Sequence, residues 1–471
     1  MQQLIQLFSD LTGKTNPAIE ALPTSGSNRK YYRLQSDNIS LIGVHGESIE
    51  ENHAFICLAR HFRDRGLNVP EVLAVSDDEI FYLQQDLGDT ILFDFIKGGR
   101  LTGVFSHQEK ELLHKTISAL ADFQVKGAQE LDFNVCYPLS DFNNRSVMWD
   151  LNYFKYSFLK TTGMDFREDL LENDFEKLAG ILLEDKSDTF MYRDFQSRNV
   201  MLVDNTPYFI DFQGGRKGPI YYDVASFLWQ AKANFPSELR EDLIKTYVAS
   251  LSKYKQVNET EFHNRLRQFV LFRTLQVLGA YGFRGYFEKK PHFIQSVPFA
   301  LNNLRELLSE RFSEYPYLET ILREMVNLQQ FADTRKRELE VRVYSFAYKK
   351  GIPNDVSGNG GGYVFDCRAI NNPGKFERYS NVTGLDEPVI KFLEDDGEMV
   401  DFLDNIYPLV DRHVKRYMER NFTNLMISFG CTGGQHRSVY AAQHVAEHIH
   451  KKFGVKVSLV HREQNFEQEF K

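Results

Sequence analysis

The sequence predicts a bilobal α+β domain, a small β-rich lobe joined to a large helical lobe, followed by a separate α/β domain. Short β-type runs crowd the first 90 residues, helical periodicity dominates from about 104 to 330, and strand and helix signals alternate after residue 341. In the first lobe, residues 31–34, 39–44 and 80–83 are rich in Ile, Val, Tyr and Leu and read as strands. One helix interrupts them, because Ala54, Phe55, Leu58, Ala59 and Phe62 recur at helical spacing. Residues 84–89 (Gln-Gln-Asp-Leu-Gly-Asp) form a short connection, so residues 1–89 make the small lobe with its hinge at 84–89, and residues 90–330 make the helical lobe. A strand-loop-strand patch near 190–213 interrupts the helices, and a cleft between two such lobes suits a nucleotide.

The mixed-charge stretch within 331–340 reads as a linker, and residues 341–471 as the second domain. There the order is strand at 341–346, a flexible glycine loop around Gly358, Gly360, Gly361 and Gly362, strand at 363–368, helix at about 398–420, strand at 425–429, helix from Ser438 and strand at 455–460.

At 471 residues the chain has room for about three folding units. Its 56 basic and 65 acidic side chains leave a net charge of -9, which argues against a general nucleic-acid or anionic-membrane binder. The excess lies in residues 1–330, since 331–471 hold 20 charges of each sign. Acidic Asp10 stands where a signal peptide would need an apolar run, and no long apolar segment follows, so a cytoplasmic protein is expected. Cys57, Cys136, Cys367 and Cys431 form no CxxC pair, which implies neither a disulfide framework nor a cysteine-based zinc site.

Phosphoryl transfer needs a carboxylate beside the acceptor hydroxyl and oxygen ligands that hold Mg²⁺ against the phosphates. The segment 191–202 offers Asp194 and Asn199 with four residues between them. That spacing alone is uninformative. It leads, however, into the apolar run 200–203, a turn at 204–207 and a second run at 208–213, a hairpin that would return Asp211 toward Asn199. The bland alternative makes Asp194 and Asp211 ordinary turn and cap residues.

Tyr192-Arg-Asp194 with Asn199, followed by Ile210-Asp-Phe-Gln213, resembles the catalytic and metal loops of aminoglycoside-phosphotransferase and choline-kinase-like enzymes. The resemblance implies a kinase-like fold that uses ATP and Mg²⁺, with Asp194 as base and Asn199 and Asp211 as metal ligands. It also implies a phosphate-covering loop at 24–34, in which Gly26, Ser27, Asn28 and Arg29 meet the nucleotide, and a hinge in which Gln85 and Leu87 meet adenine. Two departures stand out. Tyr192 replaces the family's usual His, and the strand at 39–44 lacks the Lys that contacts the phosphates, so Arg29 or Arg33 would have to substitute. A narrower likeness, carried by residues 192–199, 210–219, 222–223 and 272–279, is to anomeric N-acetylmuramate/N-acetylglucosamine kinases of cell-wall recycling. By that likeness the acceptor is an amino sugar, with Gln196, Arg198, Gln213 and Asp223 as candidate contacts.

In the second domain, residues 425–438 run from an apolar strand through a glycine-containing loop into a helix. Loop N–H groups of Thr432, Gly433 and Gly434, the helix start at Ser438, and Arg437 would converge on an anion, with Cys431 and His436 beside them. Cys431-x₅-Arg437-Ser438 also matches cysteine-dependent phosphatases. Together with blocks at 345–353, 364–368, 372–373, 383–386, 430–440 and 461–463, the loop resembles the C-terminal domain of RapZ-type RNase adapters. That implies binding of an amino-sugar phosphate such as glucosamine-6-phosphate. RNA binding rates lower, because the domain is electrically neutral and has no long basic run. His436, His444, His448 and His450 read as a solvated helix face rather than a metal site. The expectation is a phosphotransferase fused to a sugar-phosphate sensor; the rival is a catalytically silent nucleotide-binding adapter that reports to RNA or protein partners.

Overall fold

The computed structural model describes residues 1–23, 29–185, 188–332, 339–355, 357, 361–419 and 422–470. Gly26, Ser27 and Asn28 of the expected phosphate loop, Gly358 and Gly360 of the glycine loop, and most of the expected linker lie outside them. The chain divides into two compact units, Met1–Ala332 and Asp333–Lys471.

The first unit opens with a five-stranded antiparallel sheet of β1 (Ala18–Ala21), β2 (Lys30–Ser36), β3 (Ile39–His45), β4 (Val72–Val75) and β5 (Phe81–Gln85), in the order β1-β2-β3-β5-β4. Sequence reading places one helix in this lobe; its described residues hold two. The helix Gln2–Thr12 buries Leu4 and Phe8 against Leu34, Leu41, Phe81 and Leu83, which gives the sheet a second apolar layer. The foreseen helix, Ile49–Asp64, joins the main core through Phe55, Leu58 and Phe62. Its N-cap Ser48 accepts a hydrogen bond from the Glu51 N–H, which sets Glu51 in the first turn.

The larger lobe is helical apart from two ribbons, β6 (Thr189–Met191) with β9 (Arg216–Gly218), and β7 (Val200–Val203) with β8 (Thr206–Phe209). Two of its helices, Asn144–Ser157 and Glu259–Gly282, cross closely. A Cβ on Gly279 would come within 2.8 Å of the Phe154 nitrogen, and one on Gly282 within 2.1 Å of the Ser157 carbonyl oxygen. Only glycine permits this approach, and it brings Asp150 and Arg273, one from each helix, to the site described below.

In the second unit, β10 (Glu340–Ala347), β11 (Tyr363–Asp366), β12 (Asn424–Cys431), β13 (Lys456–His461) and β14 (Phe466–Phe470) form a mixed sheet in the order β11-β12-β10-β13-β14. All neighbours are parallel except β14, which pairs antiparallel with β13. This last strand, absent from the sequence reading, carries charge on an edge, where charge discourages further pairing. The helices Glu398–Glu419 and Arg437–Phe453 bury Val410, Val414, Val445 and Ile449 with Val341, Val343, Ile427 and Leu459 of the sheet. The Cys431 loop leaves the carboxyl end of β12, flanked by β10 and β11, where open α/β sheets bind ligands. No helix among the described residues is long and apolar enough to cross a membrane.

Candidate phosphotransfer site

Asp194 sits exposed in the loop after β6, and the backbone leading to it is bent by Arg193, whose φ of 79° lies in the left-handed region. Three attachments hold that bend. The N–H groups of Tyr192 and Arg193 each donate to Asp223 at 2.8 Å, and the Arg193 guanidinium forms a paired contact with Asp150 at 2.7 and 3.0 Å. Tyr192 is buried and its hydroxyl donates to the Ile210 carbonyl at 2.5 Å. Tyr192 therefore ties the Asp194 loop to the segment carrying Asp211.

Asn199 closes the same loop. Its Nδ2 donates to the Asp194 carbonyl at 2.8 Å and to Asp211 Oδ2 at 3.3 Å, while the Ile210 N–H donates to the Asn199 carbonyl at 3.0 Å. Asn199 thus bridges the Asp194 backbone and the Asp211 carboxylate across the hairpin. Asp211 stands just past β8 with φ 69°, and burial, then the nearby Asp194 charge, raises its carboxyl above the usual carboxylate range. A carboxylate so placed favours a cation. With Nδ2 spent on protein oxygens, Asn199 keeps its Oδ1 as a neutral oxygen donor, so the residues present fit Mg²⁺, which prefers oxygen ligands.

Gln213 donates to Asp211 Oδ1 at 2.8 Å and to Glu51 Oε1 at 3.3 Å, which commits its amide nitrogen to the acidic pair. Glu51 in turn meets buried Arg29, whose Nη2 lies 3.2 Å from Oε1 and 3.0 Å from the Glu51 carbonyl. Arg33 is committed elsewhere. It donates to Asp86 at 2.8 and 3.2 Å and to Asp89 at 2.7 Å, fastening the sheet to the hinge. Of the two candidates for the missing lysine's place, Arg29 is the one near Asp211. Gln85 ends β5, where its N–H donates to the Glu71 carbonyl, and Leu87 is buried in the hinge.

Asp223, expected among the sugar contacts, lies instead beneath the loop. It is fully buried, and both carboxylate oxygens are taken by the Tyr192 and Arg193 amides, with Gln124 at 3.4 Å. Burial pushes its carboxyl up to about 7 against the opposing pull of those donors. Gln196 is half-buried at the loop's turn and Arg198 is exposed over the Phe93 ring. Sequence reading passes over Arg273, which lies in the same 272–279 block that carries the narrower resemblance. Its Nη2 lies 3.7 Å from Asp194 Oδ1, and its Nε donates to Ser226 at 3.2 Å.

In the second unit, Cys431 Sγ lies 3.1 Å from Ser438 Oγ and accepts the Gly434 N–H at 3.1 Å. Burial alone would push this thiol up; the Ser438 hydroxyl, the Ser438 and Gly434 N–H groups and the Arg437 charge outweigh it and hold the thiol below its ordinary value. Gly434 has φ 68°, and a Cβ there would strike Glu463 and the Ala347 nitrogen. Thr432 and Gly433 are exposed at the tip. His436 is turned away from the tip, and Arg437 commits one guanidinium nitrogen to backbone while its charge acts on Cys431. Arg437 Nη1 donates to the Arg368 and Ile370 carbonyls at 2.9 and 2.7 Å, and His436 pairs with the Tyr379 carbonyl at 2.9 Å, so both anchor the strap after β11. The histidines of the following helix have ordinary partners: His448 meets Asp411 at 2.8 Å and His444 stacks on Tyr440.

His461, at the end of β13, is buried between Ser345 Oγ at 2.9 Å and Gln443 Oε1 at 3.2 Å, and burial pushes its imidazole from 6.5 down to about 4. The folded unit keeps it neutral while the unfolded chain protonates it below about pH 6.5. Stability of this unit should therefore fall as pH drops from about 6.5 to about 4, by up to about 3 kcal/mol. Urea melts across that window should show a shallower acid slope in His461→Gln; an unaltered slope would assign the effect to another group.

The chain belongs to the phosphotransferase enzyme family, whose model matches residues 18–258. Residues 339–465 match a second model, the RapZ C-terminal domain, so both broad resemblances drawn from the motifs are borne out. A nucleotide-binding protein of Histophilus somni (strain 2336) is 37% identical over 127 residues, which cover 27% of this chain and 42% of that one. One from Glaesserella parasuis serovar 5 is 37% identical over 150 residues, covering 32% and 48%. The chain spans less than half the length of these curated relatives. Among solved structures, a choline kinase from Cryptosporidium parvum Iowa II is similar with TM-score 0.46 and 12% identity, covering 68% of this chain and 99% of that one.

Proposed function

We propose that the first unit transfers a phosphoryl group from ATP to a hydroxyl of an amino sugar of the N-acetylmuramate/N-acetylglucosamine type, at the anomeric position and in cell-wall recycling. The observation that carries this reading is the convergence of Asp194, Asn199 and Asp211 on one loop and hairpin. Asp194 orients the acceptor hydroxyl and takes its proton. Asn199 and Asp211 would hold Mg²⁺, which when bound neutralises phosphate charge. Arg29, steadied by Glu51, supplies positive charge toward the phosphates in place of the family's lysine, and Arg273 aims Asp194. Gln196 faces the acceptor. In the second unit, the exposed Thr432-Gly433 tip at the carboxyl end of β12 is the contact for a sugar phosphate, while Arg437 sets the loop's shape.

The test is transfer from labelled ATP with Mg²⁺ to a panel of amino sugars, with the phosphorylated position read by NMR. Labelled sugar phosphate supports the enzyme. Tight nucleotide binding without transfer to any acceptor would establish the silent adapter instead, and RNA capture by the purified chain would then be measured.

A further inference from the structure

Two free cysteines of the second unit, Cys367 and Cys431, stand side by side at the base of the Thr432-Gly433 loop. β11 runs parallel to β12 in the register Phe365 to Phe429 and Asp366 to Gly430, which sets Cys367 beside Cys431 one step further on. Side chains alternate along a strand, so the two cysteines share the face of Phe365 and Phe429, whose rings stack at 5.3 Å. The Cys367 N–H donates to the Gly430 carbonyl at 2.8 Å. From the far end of the loop, Arg437 Nη1 holds the Arg368 and Ile370 carbonyls, so the backbone around Cys367 is fastened on both sides. Neighbouring strands run about 4.8 Å apart, within the Cα separations that a disulfide spans.

The two sulfurs differ in kind. Cys431 Sγ accepts the Gly434 N–H at 3.1 Å and lies 3.1 Å from Ser438 Oγ, in the field of Arg437, a setting that favours its thiolate. Cys367 is fully buried, and burial, then the Cys431 charge, pushes its thiol up. One sulfur is thus suited to attack and its neighbour to resolve the product. Cys431 is only 3% exposed, which admits a small oxidant and excludes a bulky disulfide.

We propose that Cys431 and Cys367 are a redox-active pair that a small hydroperoxide, hydrogen peroxide above all, converts to a disulfide. The Cys431 thiolate attacks one peroxide oxygen: an S–O bond forms, the O–O bond breaks, and the departing hydroxide takes the proton that the thiol gave up. A sulfenic acid and one water result. The Cys367 sulfur then attacks the Cys431 sulfur: the S–S bond forms, the S–O bond breaks, and hydroxide leaves as a second water with the Cys367 proton. Two thiols lose two electrons in all, and the peroxide gains them. A disulfide sulfur is uncharged and a poor acceptor, so the Gly434 N–H loses its partner and the loop loosens. This chemistry is independent of the phosphotransfer reading.

The test treats the reduced full chain with hydrogen peroxide, unfolds it, blocks the remaining thiols with iodoacetamide and maps its peptides by mass spectrometry. Two of the four cysteines should escape alkylation, joined in a linked peptide of Cys367 with Cys431 that dithiothreitol separates. Cys57 and Cys136 should be alkylated as before. Amide hydrogen exchange of residues 431–438 should quicken by about fivefold or more on oxidation, the scale of one lost hydrogen bond, and return on reduction. Cys367→Ala should carry Cys431 on to sulfenic or sulfinic acid with no linked peptide, and Cys367→Ser repeats the measurement should the smaller side chain unsettle the core. The parent chain decides the matter by itself. A Cys431 that resists peroxide, one that oxidises without joining Cys367, a bridge to Cys57 or Cys136, or a bridge to Cys367 that leaves exchange unaltered overturns the proposal.

Discussion

Asp194→Asn is expected to lower kcat by about 10²- to 10⁴-fold while changing KM for ATP little, because a base acts on the acceptor proton and not on nucleotide binding. Asn has the size of Asp, and the side chain is exposed and held only loosely by Arg273 at 3.7 Å, so the fold should be untouched. The contrasting change is Asp211→Asn. It removes a charge from the cation-facing pair, and so should raise the Mg²⁺ concentration needed for half-maximal rate as well as lower kcat. Steady-state rates at several Mg²⁺ concentrations separate the two. If Asp194→Asn retained the parent rate, the assignment of the base would be withdrawn.

Asp223→Ala should cost about 2–4 kcal/mol, since it strands two buried N–H groups, those of Tyr192 and Arg193, without acceptors. Asp223→Asn should fall between Ala and the parent, because an amide can accept one of the two bonds and must turn a donor toward the other. Both variants should also lose kcat out of proportion to the fraction unfolded, as the loop bearing Asp194 loses its footing. Urea denaturation paired with activity at low denaturant checks this. Unchanged stability in Asp223→Ala would mean that the carboxylate does not carry the loop.

Much of this architecture was legible in the residues. The hairpin from Asn199 to Asp211 followed from two apolar runs around a polar turn, and the alternation after residue 341 announced the second sheet. What escaped depended on partners distant in sequence. Arg29 and Arg33 were equivalent candidates until Asp86 and Asp89 were seen to engage Arg33. Asp223 stood near the motif, but spacing along the chain does not say on which side of a loop a helix start will lie. Arg437 looked aimed wholly at an anion because its helix begins there, yet the carbonyls of residues 368 and 370, brought in after β11, claim one of its nitrogens. Glu51 gave no local signal, and Arg273 was marked only by its place in the 272–279 block. Each works only through a contact that the fold creates.

The bond from the Tyr192 hydroxyl to the Ile210 carbonyl, together with those around Asn199, makes the loop of Asp194 and the segment of Asp211 one rigid piece of the larger lobe. The small lobe meets that piece at Gln213 through Glu51 at 3.3 Å, and behind it through Asn68, which bonds Phe209 and Pro207, and through the rings of Phe55 and Phe62 against Phe212. Because the helix bearing Glu51 shares its core with the larger lobe, the packing that seats the Asp194 loop also stations Arg29 near Asp211.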